Sequence, residues 1–181
     1  VQPTAGARAI AFTSTRTDSL GQDIYLMDEA GAVTVQLIRR SLVDTAPRFS
    51  PDHNQIAFTS FKQGTASTSD IWLMNVDGTG LQLLTPNNRD DGYANWSPDG
   101  TKLVFASNRT QDNGVTQSDR EIWVMNADGT GTPKELTRTA STVPDEYPDW
   151  SPDGASIVFS SIRGGETDSE IYVCLLYTSP S

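Results

Sequence analysis

Short, nearly continuous apolar runs alternate with polar turn clusters along the chain, and the runs come in pairs. The first of each pair is Ile10-Ala11-Phe12, Ile56-Ala57-Phe58, Leu103-Val104-Phe105 or Ile157-Val158-Phe159. The second is Asp23-Ile24-Tyr25-Leu26-Met27, Asp70-Ile71-Trp72-Leu73-Met74, Glu121-Ile122-Trp123-Val124-Met125 or Glu170-Ile171-Tyr172-Val173. Apolar runs this short, bounded by turn residues, read as strands covered on both faces. Three of the pairs are introduced by a shared phrase: Phe49-Ser50-Pro51-Asp52-His53, Trp96-Ser97-Pro98-Asp99-Gly100 and Trp150-Ser151-Pro152-Asp153-Gly154. It predicts a tight turn, in which proline presets φ, aspartate suits the next position and glycine accepts positive φ. His53 replaces that glycine once, and histidine visits the left-handed region more readily than most side chains. Residues 75–80 and 126–131 read as hairpin turns. The more polar stretches near 81–85 and 134–137 suit solvent-facing fourth strands.

The spacing between copies decides the architecture. The aromatic of the shared phrase recurs after 47 and then 54 residues, and the methionine of the second run after 47 and 51. Self-similarity at this period marks a repeat fold. Four-stranded sheets that are apolar on both faces cannot bury themselves alone, and radial stacking solves the problem while leaving short edges. The reading is all-β: a partial β-propeller of about three and a half four-stranded blades. It comprises strands two to four of one blade, two whole blades and the first three strands of another. The blades cover approximately 7–44, 45–93, 94–147 and 148–173. After Val173 the repeat breaks into Cys174-Leu175-Leu176-Tyr177-Thr178-Ser179-Pro180-Ser181, which reads as a non-native, adapter-derived tail carrying the one cysteine.

Charge narrows the partners. The formal net charge is -10, and the 13 Lys and Arg residues are scattered, so nothing resembles a phosphate-binding patch. No apolar run approaches the ~20 residues that span a bilayer. The start, Val1-Gln2-Pro3-Thr4, has neither an initiator methionine nor the layout of a signal peptide, and the chain reads as an excerpt from a longer ring.

The Trp-Ser-Pro-Asp-Gly phrase, the Phe-x-Ser-x-Arg end of the second strand, Ile122-Trp123-Val124-Met125-Asn126 and the Asp-Gly-Thr-Gly turn together resemble TolB-type propeller repeats over residues 8–173. The resemblance implies a six-bladed ring and a periplasmic or otherwise exported scaffold that binds proteins, as in the Tol-Pal envelope system. The same repeats occur in propellers that gate serine peptidases of the prolyl oligopeptidase type, and in sensor or surface proteins. Fold alone does not choose among these.

The residues themselves point to binding, with no catalytic, metal or cofactor site. Ser50, Ser97 and Ser151 recur with the turn, and none lies in a Gly-x-Ser-x-Gly elbow. His53, the only histidine, is a turn residue. The Asn-x-Asp-Gly-Thr-Gly turns lack the further oxygen ligands and closing Glu of a calcium loop. Two charge sets recur once per blade. Asp44, Asp91 and Asp145 each stand five residues before the blade aromatic, in the loop entering the innermost strand. Arg16, Lys62, Arg109 and Arg163 each stand two residues after a strand-ending serine. Two readings remain open. Each acid pairs with a base, or the acids form an arc at the channel mouth that selects a basic partner segment or a cation. Partners are then proteins or peptide segments meeting the loop-bearing face.

Overall fold

The computed structural model describes residues 9–16, 21–31, 34–40, 42–62, 68–109, 119–138, 143–163 and 168–176. Among them lie fourteen strands and no helix, in four antiparallel sheets. The first sheet holds β1 (Ala9–Ser14), β2 (Asp23–Asp28) and β3 (Thr34–Gln36). The second holds β4 (Leu42–Phe49), β5 (Gln55–Lys62), β6 (Ser69–Asn75) and β7 (Gln82–Leu83). The third holds β8 (Asp91–Trp96), β9 (Lys102–Ser107), β10 (Glu121–Asn126) and β11 (Lys134–Glu135). The fourth holds β12 (Asp145–Trp150), β13 (Ser156–Ser161) and β14 (Glu170–Leu175). Sheets of three, four, four and three strands form the partial propeller that the repeat spacing predicts.

The repeated turn explains its own sequence. Ser97 Oγ donates to Asp99 Oδ1 at 2.6 Å and accepts from the Lys102 amide at 2.9 Å, while the Thr101 amide donates to Asp99 Oδ1 at 3.0 Å. Ser50 with Asp52 and Ser151 with Asp153 repeat the same net. The serines are therefore spent on backbone amides. His53 adopts φ 60°, the conformation Gly100 and Gly154 take at 71°.

Apolar contact between sheets forms the core. Ile24, Leu26, Ile56, Phe58 and Met74 join the first two sheets; Leu73, Leu84, Leu103, Phe105 and Met125 join the next two; Val104, Ile122, Ile157 and Phe159 join the last two. Burying such a side chain fully stabilises by about 1.5–3 kcal/mol. The indoles lock the stack: Trp96 Nε1 donates to the Arg48 carbonyl at 3.1 Å, and Trp150 Nε1 to the Asn95 carbonyl at 3.2 Å.

The innermost strands open at Leu42, Asp91 and Asp145, three residues ahead of the limits at 45, 94 and 148 read from the sequence. The cause is a β-bulge in each, between Thr45 and Arg48, Gly92 and Asn95, and Glu146 and Asp149. Each bulge contains a residue at positive φ, Ala46, Tyr93 or Tyr147, beyond which pairing resumes. Asp44, Asp91 and Asp145 thus lie within strands, not in the loops entering them. At the other end, Cys174 and Leu175 continue β14 opposite Ile157 and Ser156. Residues 177–181 of the expected tail lie outside the described residues.

Candidate interaction site at the loop-bearing end

Each sheet ends in the same construction. Phe12 faces Tyr25, Phe58 faces Trp72, Phe105 faces Trp123 and Phe159 faces Tyr172 across the second and third strands. An arginine lies over each aromatic pair. The Arg109 guanidinium sits 4.8 Å from the Phe105 ring centre and 5.5 Å from that of Trp123. Arg163 is placed alike over Phe159 and Tyr172 at 4.9 and 5.0 Å. Cation–π attraction of this kind contributes roughly 0.5–2 kcal/mol.

The innermost strand supplies the counter-charge. Asp91 is paired opposite Ser107, Asp145 opposite Ser161 and Asp44 opposite Ser60, and all three aspartates are fully buried. Asp91 Oδ2 accepts from Arg109 Nη2 at 2.7 Å and from Asn87 Nδ2 at 2.8 Å, and Ser107 Oγ donates to Asp91 Oδ1. Asp145 pairs with Arg163. Of the two readings open from the sequence, the geometry places each acid against an arginine.

The second sheet departs from the sequence alignment. Lys62 occupies the repeat position of Arg109 and is the last residue of β5, its side chain outside the described residues. Arg40, from the connection between the first two sheets, lies over Trp72 at 4.4 Å and Phe58 at 5.7 Å and donates to Asp44 Oδ1 at 2.8 Å. A lysine has no planar fork to stack and bridge in this way. In the first sheet Arg16 lies over Phe12 and Tyr25 at 5.0 and 5.2 Å.

A second cluster joins the third and fourth sheets and escapes the sequence reading. Arg120 Nη1 donates to Glu146 Oε1 at 2.6 Å, its Nη2 donates to Asp90, and its guanidinium lies 5.3 Å from the Tyr93 ring centre. Burial opposes the Arg120 charge, but Asp90 and Glu146 outweigh it and hold the group above its ordinary range. The Tyr93 and Tyr147 rings meet at 4.5 Å. A hydrogen bond to Tyr93 raises the Tyr147 phenol. Tyr147 remains 58% exposed. The available signal was a tyrosine three residues before each blade tryptophan; nothing in the spacing marks it as a positive-φ residue facing outward.

Chemically, this end offers fixed guanidinium planes and aromatic faces. Among the described residues no group of three or more His, Cys, Asp or Glu is arranged to hold a metal. The carboxylates of Asp77 and Asp128, in the turns that superficially resemble calcium loops, accept from their own Thr79 and Thr130 amides and hydroxyls. A groove of about 720 Å³ opens at the opposite end, between the third and fourth sheets, with Pro98, Met125, Leu136 and Trp150 in its wall. No helix among the described residues is long and apolar enough to cross a membrane.

The TolB beta propeller domain model matches residues 4–120. The chain is 31% identical over 158 residues to a protein named TolB homolog of Chlorobium luteolum, covering 86% of this chain and 32% of that one. It is 30% identical over 127 residues to the uncharacterized peptidase YuxL of Bacillus subtilis, covering 68% and 18%. Its fold superimposes on the crystal structure of TolB from Acinetobacter baumannii with a TM-score of 0.71 at 21% identity, over 95% of this chain and 40% of that one. The chain spans less than half the length of the curated relatives it matches.

Proposed function

The chain belongs to the TolB beta propeller domain family, and on that premise we propose that it is a non-enzymatic, protein-binding propeller scaffold of an exported or periplasmic bacterial protein, related in role to the Tol-Pal envelope component. The partner segment meets the end where the Asp–Arg–aromatic clusters sit. The observation that carries this reading is Tyr147, a bulky side chain at φ 52° and 58% exposed, braced by Tyr93 and the Arg120 bridge. Backbone strain concentrates where a side chain must be presented, and tyrosine and arginine dominate binding hot spots. In this role Asp44, Asp91 and Asp145 act indirectly, by holding Arg40, Arg109 and Arg163 in place. Arg16 extends the basic set along the same end, and the charge of Lys62, at the repeat position of Arg109, adds to it in sequence.

A photo-crosslinking residue at position 147, with a control at the exposed Thr34 on the outer edge, tests the site in bacterial envelope extract. Partner adducts are expected at position 147 alone, falling about tenfold, some 1.4 kcal/mol, in an Arg120→Gln background. Equal labelling at both positions, or none, overturns the site. Likeness to a peptidase relative supports a second reading, in which the propeller gates substrate access to a hydrolase domain. Stable capture of short peptides by that same end, with no folded protein retained, would favour it.

A further inference from the structure

Two of the three bulged inner strands carry a tyrosine at the bulge, and the two rings meet. Tyr93 stands at φ 58° and Tyr147 at φ 52°, a conformation that is an outlier for a bulky side chain. The ring centres lie 4.5 Å apart, with the planes inclined by 50°. A hydrogen bond joins the two phenols, so the rings touch at their hydroxyl ends, where the carbons flanking each oxygen come together. The other tyrosines among the described residues lie against phenylalanine, Tyr25 on Phe12 and Tyr172 on Phe159. In the second sheet the bulge residue is Ala46.

Both rings are held from outside the pair. The Arg120 guanidinium lies 5.3 Å from the Tyr93 ring centre, anchored by Asp90 and by Glu146, the residue before Tyr147. The Tyr93 amide donates to Thr59 Oγ1 at 3.2 Å. Just past the bulges, Asn95 Nδ2 donates to the Pro148 carbonyl at 2.7 Å and Trp150 Nε1 to the Asn95 carbonyl at 3.2 Å, fixing β12 against β8. Strained backbone persists only where its surroundings over-determine it, and such strain gathers at functional positions. All of these contacts lie within the second, third and fourth sheets.

We propose that Tyr93 and Tyr147 form a site of oxidative coupling, at which a covalent bond between the two rings staples the third sheet to the fourth. Each phenol gives up one electron and its hydroxyl proton, and the two phenoxyl radicals join through ring carbons ortho to the oxygens. The hydrogens on those two carbons then move to the oxygens, which restores both phenols. The oxidant is hydrogen peroxide acting through a haem peroxidase; one peroxide takes the two electrons and two protons and leaves as two waters. Radicals already held in contact couple in preference to escaping, because positioning turns an encounter into a step within one molecule. The bond closes a long loop of the unfolded chain and so stabilises the folded one. It needs no partner and does not rest on the binding role.

The test treats the monomeric fraction of the full chain with hydrogen peroxide and a haem peroxidase, and reads dityrosine by its fluorescence and by mass spectrometry of a tryptic digest. The expected product joins the peptides 90–102 and 139–163, at their summed mass less two hydrogens. Tyr93→Phe or Tyr147→Phe should abolish it, Tyr177→Phe should leave it unchanged, and Arg120→Gln should lower its yield about tenfold. Treatment should also raise the thermal midpoint of the unaltered chain and leave that of the Tyr93→Phe chain where it was. Phenylalanine keeps the ring, so loss of coupling at an unchanged starting midpoint reports the chemistry and not misfolding. Absence of the 90–102 to 139–163 product overturns the proposal, as do links found only between separate chains. Equal yields in buffer and in unfolding urea, measured on the unaltered chain, overturn it as well. None of these outcomes depends on whether a partner crosslinks at position 147.

Discussion

At the scale of single residues, the organising unit is a buried carboxylate that fixes a stacked arginine. Asp91 is the most fully used of the three, since Asp44 Oδ2 and Asp145 Oδ1 are buried with no hydrogen-bond partner among the described residues while both Asp91 oxygens are engaged. Removing one member of a buried pair costs more than the pair contributes, because the other charge is left uncompensated. Asp91→Ala is therefore expected to destabilise by about 3 kcal/mol, read as a lowered urea midpoint at unchanged slope. Arg109→Lys keeps the charge but loses the planar stack over Phe105 and Trp123, and should cost only about 1 kcal/mol. Equal losses for the two variants would show that net charge, not stacked geometry, is what the site needs. The spacing of Asp91 and Arg109 is legible in the sequence. Arg40 standing in for Lys62 is not, because that exchange depends on a connection from another blade reaching over Trp72.

At the scale of the element, turn chemistry carries the repeat. Asp99 is held down to about 2 by the Ser97 hydroxyl first, then by the Thr101 amide and hydroxyl. Asp52, Asp77, Asp128 and Asp153 are lowered by the same kind of contact. A carboxylate depressed on folding contributes stability above its unfolded pKa, near 3.9, and loses it as pH falls toward the folded value. The chain should thus weaken between about pH 4 and pH 2. Asp99→Asn should flatten that part of the stability profile, measured as denaturation midpoints at successive pH values. An unchanged slope would mean that other carboxylates govern acid unfolding. The turns themselves are readable from Ser-Pro-Asp-Gly, as is the left-handed place of His53. The bulges of β4, β8 and β12 are not, since Ala46, Tyr93 and Tyr147 are residue types that rarely signal positive φ.

At the scale of the whole molecule, each sheet is stabilised by its neighbours, and nearest-neighbour stacking governs cooperativity. On β14, Ile171, Val173 and Leu175 share one face at 74, 60 and 60% exposure. Apolar surface of this kind promotes association. The chain alone is expected to bind a hydrophobic dye and to self-associate at micromolar concentrations, and Ile171→Lys with Val173→Lys should suppress both. A monomer that unfolds cooperatively without binding dye would contradict this.

The sequence by itself determined the strands, the blade period, the turn chemistry and the family, because each depends on local residue preferences repeated at a regular interval. Tertiary structure alone decided which arginine serves which aspartate, that the acids are buried in strands, and that Tyr93 and Tyr147 meet across a blade junction. Those outcomes depend on how one sheet's bulge and edge lie against the next, a relation between distant segments that no periodicity along the chain encodes.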